Sequence, residues 1–327
     1  MLSWRVLGVL EVRAGGAWVA AGAPKVRALA AALLVEPGRV VPTGQLIDEL
    51  WGDEPAPAAR RLVAGYVFRL RQLIGDQSGQ VVVTQAPGYR LAVDPAQVDA
   101  VRFEELLSAG QRALEGDDAA KAAVSLREAL SLWRGPALAD VPKGAAVAAA
   151  ASRLEELRLS ATELLIEADL RAGRAAEHIA QLHLLTAAQP LRERFWQQLM
   201  LALAACDRRA EALDAYARAR QILADQLGAD PGPGLEQLHR RLLAGETPMP
   251  VAASDGPDRG ALPAVPRQLP AQVRHFTGRA PELEQLTGFL DEAGTGRAVV
   301  ISAIAGTAGV GKTKPRANTS NRYRRAA

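Results

Sequence analysis

The sequence predicts a mainly α-helical protein with a small β part near its N-terminus. Three observations lead there. The 327 residues are 49% hydrophobic and 23% charged but only 4% aromatic, which supplies a core of small and aliphatic side chains. Apolar residues recur at helical spacing through most of the stretch from Asp99 to Leu243. Two short β-rich clusters, at residues 6–19 and 81–93, frame three helical segments near the N-terminus. The length suggests two or three domains.

Val6 to Val12 and Trp18-Val19, separated by Gly15-Gly16, read as a small antiparallel sheet. Pro24 suits a first helical turn, and Val26, Leu29, Ala30, Leu33 and Leu34 keep helical spacing until Glu36-Pro37-Gly38 stops it. Val40-Val41-Pro42 leads to Thr43, a fitting N-cap for a short helix over Gln45 to Trp51 that Gly52 ends. After a turn at Pro55 and Pro57, Val63, Val67, Leu70 and Ile74 fall at i, i+4, i+7 and i+11. Arg61, Arg69 and Arg71 lie off that stripe, with Tyr66 and Phe68 interleaved. Such a helix suits insertion into a DNA major groove, and an ordinary solvated amphipathic helix is the alternative. Gly75 to Gly79 is a loop. Val81 to Thr84, the turn Gln85-Ala86-Pro87-Gly88 and Tyr89 to Val93 read as a hairpin. Three helices followed by a hairpin is a winged helix-turn-helix plan, in which the third helix reads the groove.

At this point the residues resemble a family. Leu46 to Gly52, Tyr66-Val67-Phe68-Arg69-Leu70-Arg71 and Pro87-Gly88-Tyr89-Arg90-Leu91 are similar to the OmpR-type winged-helix DNA-binding domain, here over residues 1–94. The resemblance implies that Arg61, Tyr66, Arg69 and Arg71 face the groove or the phosphates, and that Tyr89 and Arg90 serve the wing. Arginine suits both tasks, as a bidentate fork to guanine or a charge-assisted donor to phosphate. Ala64 and Gly65 depart from the polar residues frequent there, which implies base readout through fewer side chains. Lys25 and Arg27 could contact phosphate, or be merely solvated. Within residues 1–93 ten Lys/Arg oppose seven Asp/Glu.

From residue 97 to 245 the chain reads as helical pairs. Residues 101–107 and Ala119 to Leu132 form the first, broken at Gly116-Asp117-Asp118; Ala145 to Ala172 is one long helix ended at Gly173. His178 to Gln189, Pro190 to Cys206 and Arg208 to Leu227 continue the series. Residues 168–177 and 203–211 echo one another at about 35 residues, a spacing that fits tetratricopeptide-like pairs. Trp133, Phe195 and Trp196 read as core residues. His178, His183 and His239 lack acidic or Cys partners at ligand spacing, which points to surface or capping roles. No nucleophile–base constellation stands out.

Leu132-Trp133-Arg134-Gly135-Pro136-Ala137-Leu138-Ala139-Asp140-Val141, Pro190-Leu191-Arg192-Glu193-Arg194-Phe195-Trp196 and Ala212 to Arg220 resemble the bacterial transcriptional activator domain. A winged helix joined to that domain resembles the Streptomyces antibiotic regulatory protein family. The resemblance implies a transcriptional activator rather than an enzyme. It would bind promoter direct repeats in double-stranded DNA as a homodimer, recruit RNA polymerase and switch on a secondary-metabolite gene cluster.

Six prolines between Pro248 and Pro270 mark a linker over 246–272. Residues 273–313 open a further domain: the strand-like run Ala298 to Ile304 leads into Gly306-Thr307-Ala308-Gly309-Val310-Gly311-Lys312-Thr313. That is a complete P-loop motif, in which backbone N–H groups around Gly306, Gly309 and Gly311 would cradle phosphates, Lys312 would reach the terminal phosphates and Thr313 would hold Mg²⁺. Yet Lys314-Pro315-Arg316 and the polar residues after it do not continue as a helix, and no second acidic strand follows. The expectation is an incomplete P-loop NTPase segment with a basic tail at 314–327. No cofactor is required on this reading, ATP or ADP with Mg²⁺ being the ligand if the motif works. A nucleotide-dependent signalling switch is then the alternative function.

The net charge of +3 is misleading in its location, because the fourteen-residue tail carries five basic residues and no acid. Only Cys206 is present, which excludes an intrachain disulfide, and no Cys/His cluster has metal-ligand spacing. The N-terminus lacks signal-peptide features, and no run reaches the ~18 apolar residues of a membrane span. A cytoplasmic protein without membrane contact is expected.

Overall fold

A computed structural model describes residues 3–246 of the chain. The linker beyond Glu246, the P-loop segment with Gly306, Gly309, Gly311, Lys312 and Thr313, and the basic tail lie outside the described residues. Strands β1 (Trp4–Arg5), β2 (Glu11–Ala14) and β3 (Ala17–Ala20) form one antiparallel sheet in the order β1-β2-β3. The run Val6 to Val12 is therefore not one strand. Gly8, at φ 145°, breaks it, and the intervening loop turns its backbone toward residues 134–139. Arg134 N–H donates to the Leu7 carbonyl at 2.9 Å, Leu138 N–H to Val6 at 2.9 Å and Ala139 N–H to Gly8 at 3.0 Å. A tertiary partner thus outweighs the local β propensity.

Helix α1 (Pro24–Leu34) starts with its proline and is buried on nearly every side, from Val26 to Leu34. Strand β4 (Val40–Pro42), not foreseen as a strand, leads into α2 (Thr43–Trp51). Pro42 rather than Thr43 is the N-cap. The Thr43 hydroxyl instead donates to the Pro87 carbonyl at 3.2 Å. Helix α3 (Ala59–Ile74) buries Val63, Val67 and Leu70 of the expected stripe, while Ile74, its last residue, is half-buried. Strands β5 (Val82–Gln85) and β6 (Gly88–Leu91) form the hairpin, and the second sheet has the order β4-β6-β5. Gly88 is required there: a Cβ at that position would stand 1.9 Å from the Val41 carbonyl oxygen.

A short 3-10 turn, Pro95–Gln97, leads to α4 (Asp99–Glu115), α5 (Ala119–Ser131), α6 (Ala145–Arg171), α7 (Ala175–Ala188), α8 (Glu193–Ala205), α9 (Arg209–Leu227) and α10 (Pro233–Leu243). Helices α4 and α5 meet at Gly110, where a Cβ would lie 2.5 Å from Leu126 Cγ. The turns after α4, α6 and α8 share a left-handed residue, Asp117, Gly173 and Asp207 respectively. The last two stand one tetratricopeptide-like period of ~34 residues apart.

Packing divides the chain inside α6. One core runs from Trp4 to Ala168 and joins the winged helix to α4, α5 and the first part of α6. A second, from Ile166 to Leu242, unites the end of α6 with α7 to α10. The first core is sealed by polar contacts. Glu49, buried in α2, accepts from the Ala146 and Val147 N–H groups at 2.6 and 3.2 Å and so caps the N-terminus of α6. Asp99 accepts from the N–H groups of Val6 at 2.7 Å and Leu7 at 3.3 Å. Burial nevertheless holds its carboxyl above the usual value, against the lowering pull of those donors and Arg134. Arg134 pairs with Glu11 at 2.6 Å, and Asp140 with Arg27 at 3.1 Å. The Leu132–Val141 segment is therefore the clasp between the two parts.

The Pro190–Trp196 segment is a second clasp. Arg192 reaches Glu156 at 2.7 Å and also Glu163, Arg194 binds Glu167, and Glu193 accepts from Gly232 N–H at 2.8 Å. Phe195 and Trp196 are buried, as expected, and the Trp196 indole donates to the Pro190 carbonyl at 2.9 Å. Trp133 is also buried, edge-on to Phe103. His178 differs from expectation. It is buried, with Nε2 2.7 Å from Asp169, an acid on α6 rather than at a local spacing. Cys206 is half-buried at the C-cap of α8.

Candidate nucleic-acid interface

Helix α3 contains four arginines and no acid, in the sequence Ala59-Arg60-Arg61-Leu62-Val63-Ala64-Gly65-Tyr66-Val67-Phe68-Arg69-Leu70-Arg71-Gln72-Leu73-Ile74. Because Val63, Val67 and Leu70 face the core, the opposite face carries Arg61, Gly65, Phe68 and Gln72 at i, i+4, i+7 and i+11, with Ala64 and Arg69 beside them. All six are exposed. Arg60, Arg61 and Arg69 hold no ion pair among the described residues. Several other basic groups of the winged helix do have acidic partners: Arg5 approaches Glu11 at 3.9 Å, Arg27 binds Asp140 and Arg39 binds Glu36 at 2.8 Å. Lys25 donates to the Leu50 carbonyl near the end of α2. Lys25 and Arg27 therefore each hold an internal partner. The modest local excess of positive charge is concentrated on α3.

The six sequence-derived residues do not share one task. Arg61 and Arg69 project outward. Tyr66 is half-buried and stacks on Trp51, 6.1 Å between centroids, while the Arg69 guanidinium sits 6.0 Å from the Tyr66 ring. Tyr66 thus lies between Trp51 and Arg69. Arg71 turns to the hairpin: its Nε donates to the Val82 carbonyl at 2.9 Å and its guanidinium also reaches Thr84 Oγ1 at 2.9 Å. Asp76, buried behind it, accepts from the Val82 N–H at 2.8 Å and from Gln80 and Val81. Both backbone polar groups of Val82, its N–H and its carbonyl, are held by the end of α3 and its loop, tying the wing to the helix.

In the wing, Tyr89 pairs with Thr84 and Val41, and Arg90 pairs with Val83 and Val40. Strand alternation therefore puts the two on opposite faces. Tyr89 shares the side of Val82 and Thr84 and packs against the core. Arg90 lies on the other side, where its Nε donates to Gln85 Oε1 at 3.2 Å. Phe68 stands on the outward side, as its place among the arginines leads one to expect, and Gln72, not singled out by the sequence pattern, extends the row begun by Arg61. No group of three or more metal-ligating side chains exists among the described residues. None of the described helices is long and apolar enough to cross a membrane.

Two family models match the chain. Residues 20–91 match the family described as transcriptional regulatory protein, C terminal, and residues 98–243 match the bacterial transcriptional activator domain. The chain is 36% identical over 268 residues to regulatory protein DnrI of Streptomyces peucetius, covering 80% of this chain and 97% of DnrI. It is 40% identical over 330 residues to regulatory protein AfsR of Streptomyces coelicolor, covering 99% of this chain. The chain spans about a third of the length of that relative, 33%. Among solved structures, Mycobacterium tuberculosis EmbR in complex with low affinity phosphopeptide aligns with a TM-score of 0.72 at 37% identity, over 75% of this chain and 65% of that one.

Proposed function

The chain belongs to the Streptomyces antibiotic regulatory protein family, and from that premise we propose that it is a sequence-specific DNA-binding activator of transcription. The observation that carries this is the outward face of α3. It carries two outward arginines, Arg61 and Arg69, that hold no ion pair among the described residues, on a face able to touch base edges, and Arg71 and Asp76 clamp the wing beside it. Helix α3 enters the major groove, Arg61 and Arg69 supply guanine or phosphate contacts, and Arg90 on the wing reaches the backbone. Homodimers on promoter direct repeats, recruitment of RNA polymerase and control of a secondary-metabolite cluster in the cytoplasm complete the reading.

The test is selection of duplexes from a randomised pool by the full chain, followed by titration across salt concentrations. Recovery of a directly repeated site, with affinity falling steeply as salt rises, supports it, because neutralised phosphates release counterions. A second reading, a nucleotide-dependent switch, rests on the motif Gly306 to Thr313. Thermal stabilisation of the full chain by ATP or ADP with Mg²⁺, abolished in Lys312→Ala, would support that one.

A further inference from the structure

Phe68 is 60% exposed in the middle of α3, and it is the one aromatic among the exposed large hydrophobic side chains of the described residues. The other aromatic rings of the winged helix are covered: Trp4 is buried, and Trp18, Trp51, Tyr66 and Tyr89 are half-buried. One turn earlier stands Gly65. A Cβ built there meets nothing within 4 Å, so nothing inside the protein requires a glycine at that point. Glycine is also the less stable choice in a helix interior. Ala64 beside it is small and exposed. The outward face therefore offers a projecting ring next to nearly bare backbone, and this combination accommodates a close external surface.

We propose that Phe68 is a specificity-determining residue that reads the 5-methyl group of a thymine in the major groove, with Gly65 admitting the base edge. The inference rests on the DNA-binding reading above. A phenyl ring neither donates nor accepts a conventional hydrogen bond, so it cannot distinguish the polar patterns of the base edges. The thymine methyl is the apolar group that the major groove presents. Arg61 and Gln72, at the two ends of the same row, supply hydrogen-bonding groups suited to guanine and adenine. The row from Arg61 to Gln72 is about 16 Å long at the helical rise of ~1.5 Å per residue. That corresponds to roughly five base pairs at ~3.4 Å each, which places the thymine inside the half-site rather than at its edge.

The experiment uses the full chain and the duplex it selects from a randomised pool. Each thymine is replaced singly by deoxyuridine, which keeps the base pair and removes only the methyl. At one thymine per half-site the replacement should weaken binding by about fourfold, the worth of one buried methyl-sized group. Phe68→Ala, at an exposed position that leaves the fold intact by circular dichroism, should bind the thymine and deoxyuridine duplexes equally. Insensitivity of the parent to every replacement would overturn the inference while leaving DNA binding in place. So would a sensitivity that persists undiminished in Phe68→Ala. Failure to select any duplex would instead remove the DNA-binding reading beneath it.

Discussion

The carboxylate of Glu49 in α2 lies 2.6 Å from the Ala146 N–H and caps the first turn of α6, so the reading head and the helical domain share one hydrogen-bonded joint. The fit is close. A Cβ on Gly144 would fall 2.5 Å from Glu49 Oε2 and 2.6 Å from its Cα. Glu49→Ala leaves two N–H groups at a helix N-terminus unpaired in a buried place. It should cost about 1–3 kcal/mol, read by denaturant titration, without altering any exposed group of α3. An unchanged unfolding midpoint would show that the joint contributes nothing.

Gly65→Ala separates stability from recognition. The free protein should gain about 0.5–1 kcal/mol, because alanine is the better helix former and its methyl enters open space. Thermal unfolding should rise by roughly 1–4 °C for a folded unit of this size. Binding to the selected duplex should weaken severalfold at the same time. A variant that gained stability and bound equally well would exclude close approach of DNA at this turn.

Arg71 should act as a holder of the wing rather than as a charge. Lysine retains the charge but cannot span the Val82 carbonyl and the Thr84 hydroxyl together. Arg71→Lys and Arg71→Ala are therefore expected to lose similar stability, about 1 kcal/mol for a half-exposed group, and similar affinity. If Arg71→Lys bound DNA like the parent, phosphate contact would be its main task.

Asp169 should contribute acid sensitivity to the helical domain. Burial raises its pKa, but hydrogen bonds from Arg174, His178 and Arg127 outweigh that and hold the carboxyl below its ordinary value of 3.8. A depressed folded-state value means stability present above pH 3.8 and lost as pH falls through the folded value. Stability measured from pH 5 downward should decline more steeply in the parent than in Asp169→Asn. At neutral pH that variant should lose about 3 kcal/mol, since it strands Arg174 and the buried His178 without their acid. Equal acid limbs in the two proteins would exclude the assignment.

Much of this was legible in the sequence. Helical spacing placed α3 to within a residue and identified Val63, Val67 and Leu70 as its buried face, because burial follows a fixed angular period. The hairpin and the helix end at Gly173 followed from turn chemistry. What stayed hidden depends on contacts distant in sequence. The Val6–Val12 run loses its strand to residues 134–139, His178 finds Asp169 only through the packing of α6 on α7, and Arg71 is drawn to Val82. Tyr66 and Tyr89 matched a family pattern by type, yet their rings pack on the core side, which residue type alone does not show. Phe68 among the arginines was legible from helical spacing, and Gln72 follows from the same period one turn further on.

The central claim is that the outward face of α3 binds DNA through Arg61 and Arg69. It is tested most directly by the affinity of Arg69→Ala and Arg61→Ala for the selected duplex, alongside their circular dichroism. Each bidentate contact to a base contributes about 1–3 kcal/mol, so each variant should bind roughly 5- to 150-fold more weakly with its helical spectrum unchanged. Folded variants that bound the duplex as tightly as the parent would contradict the claim.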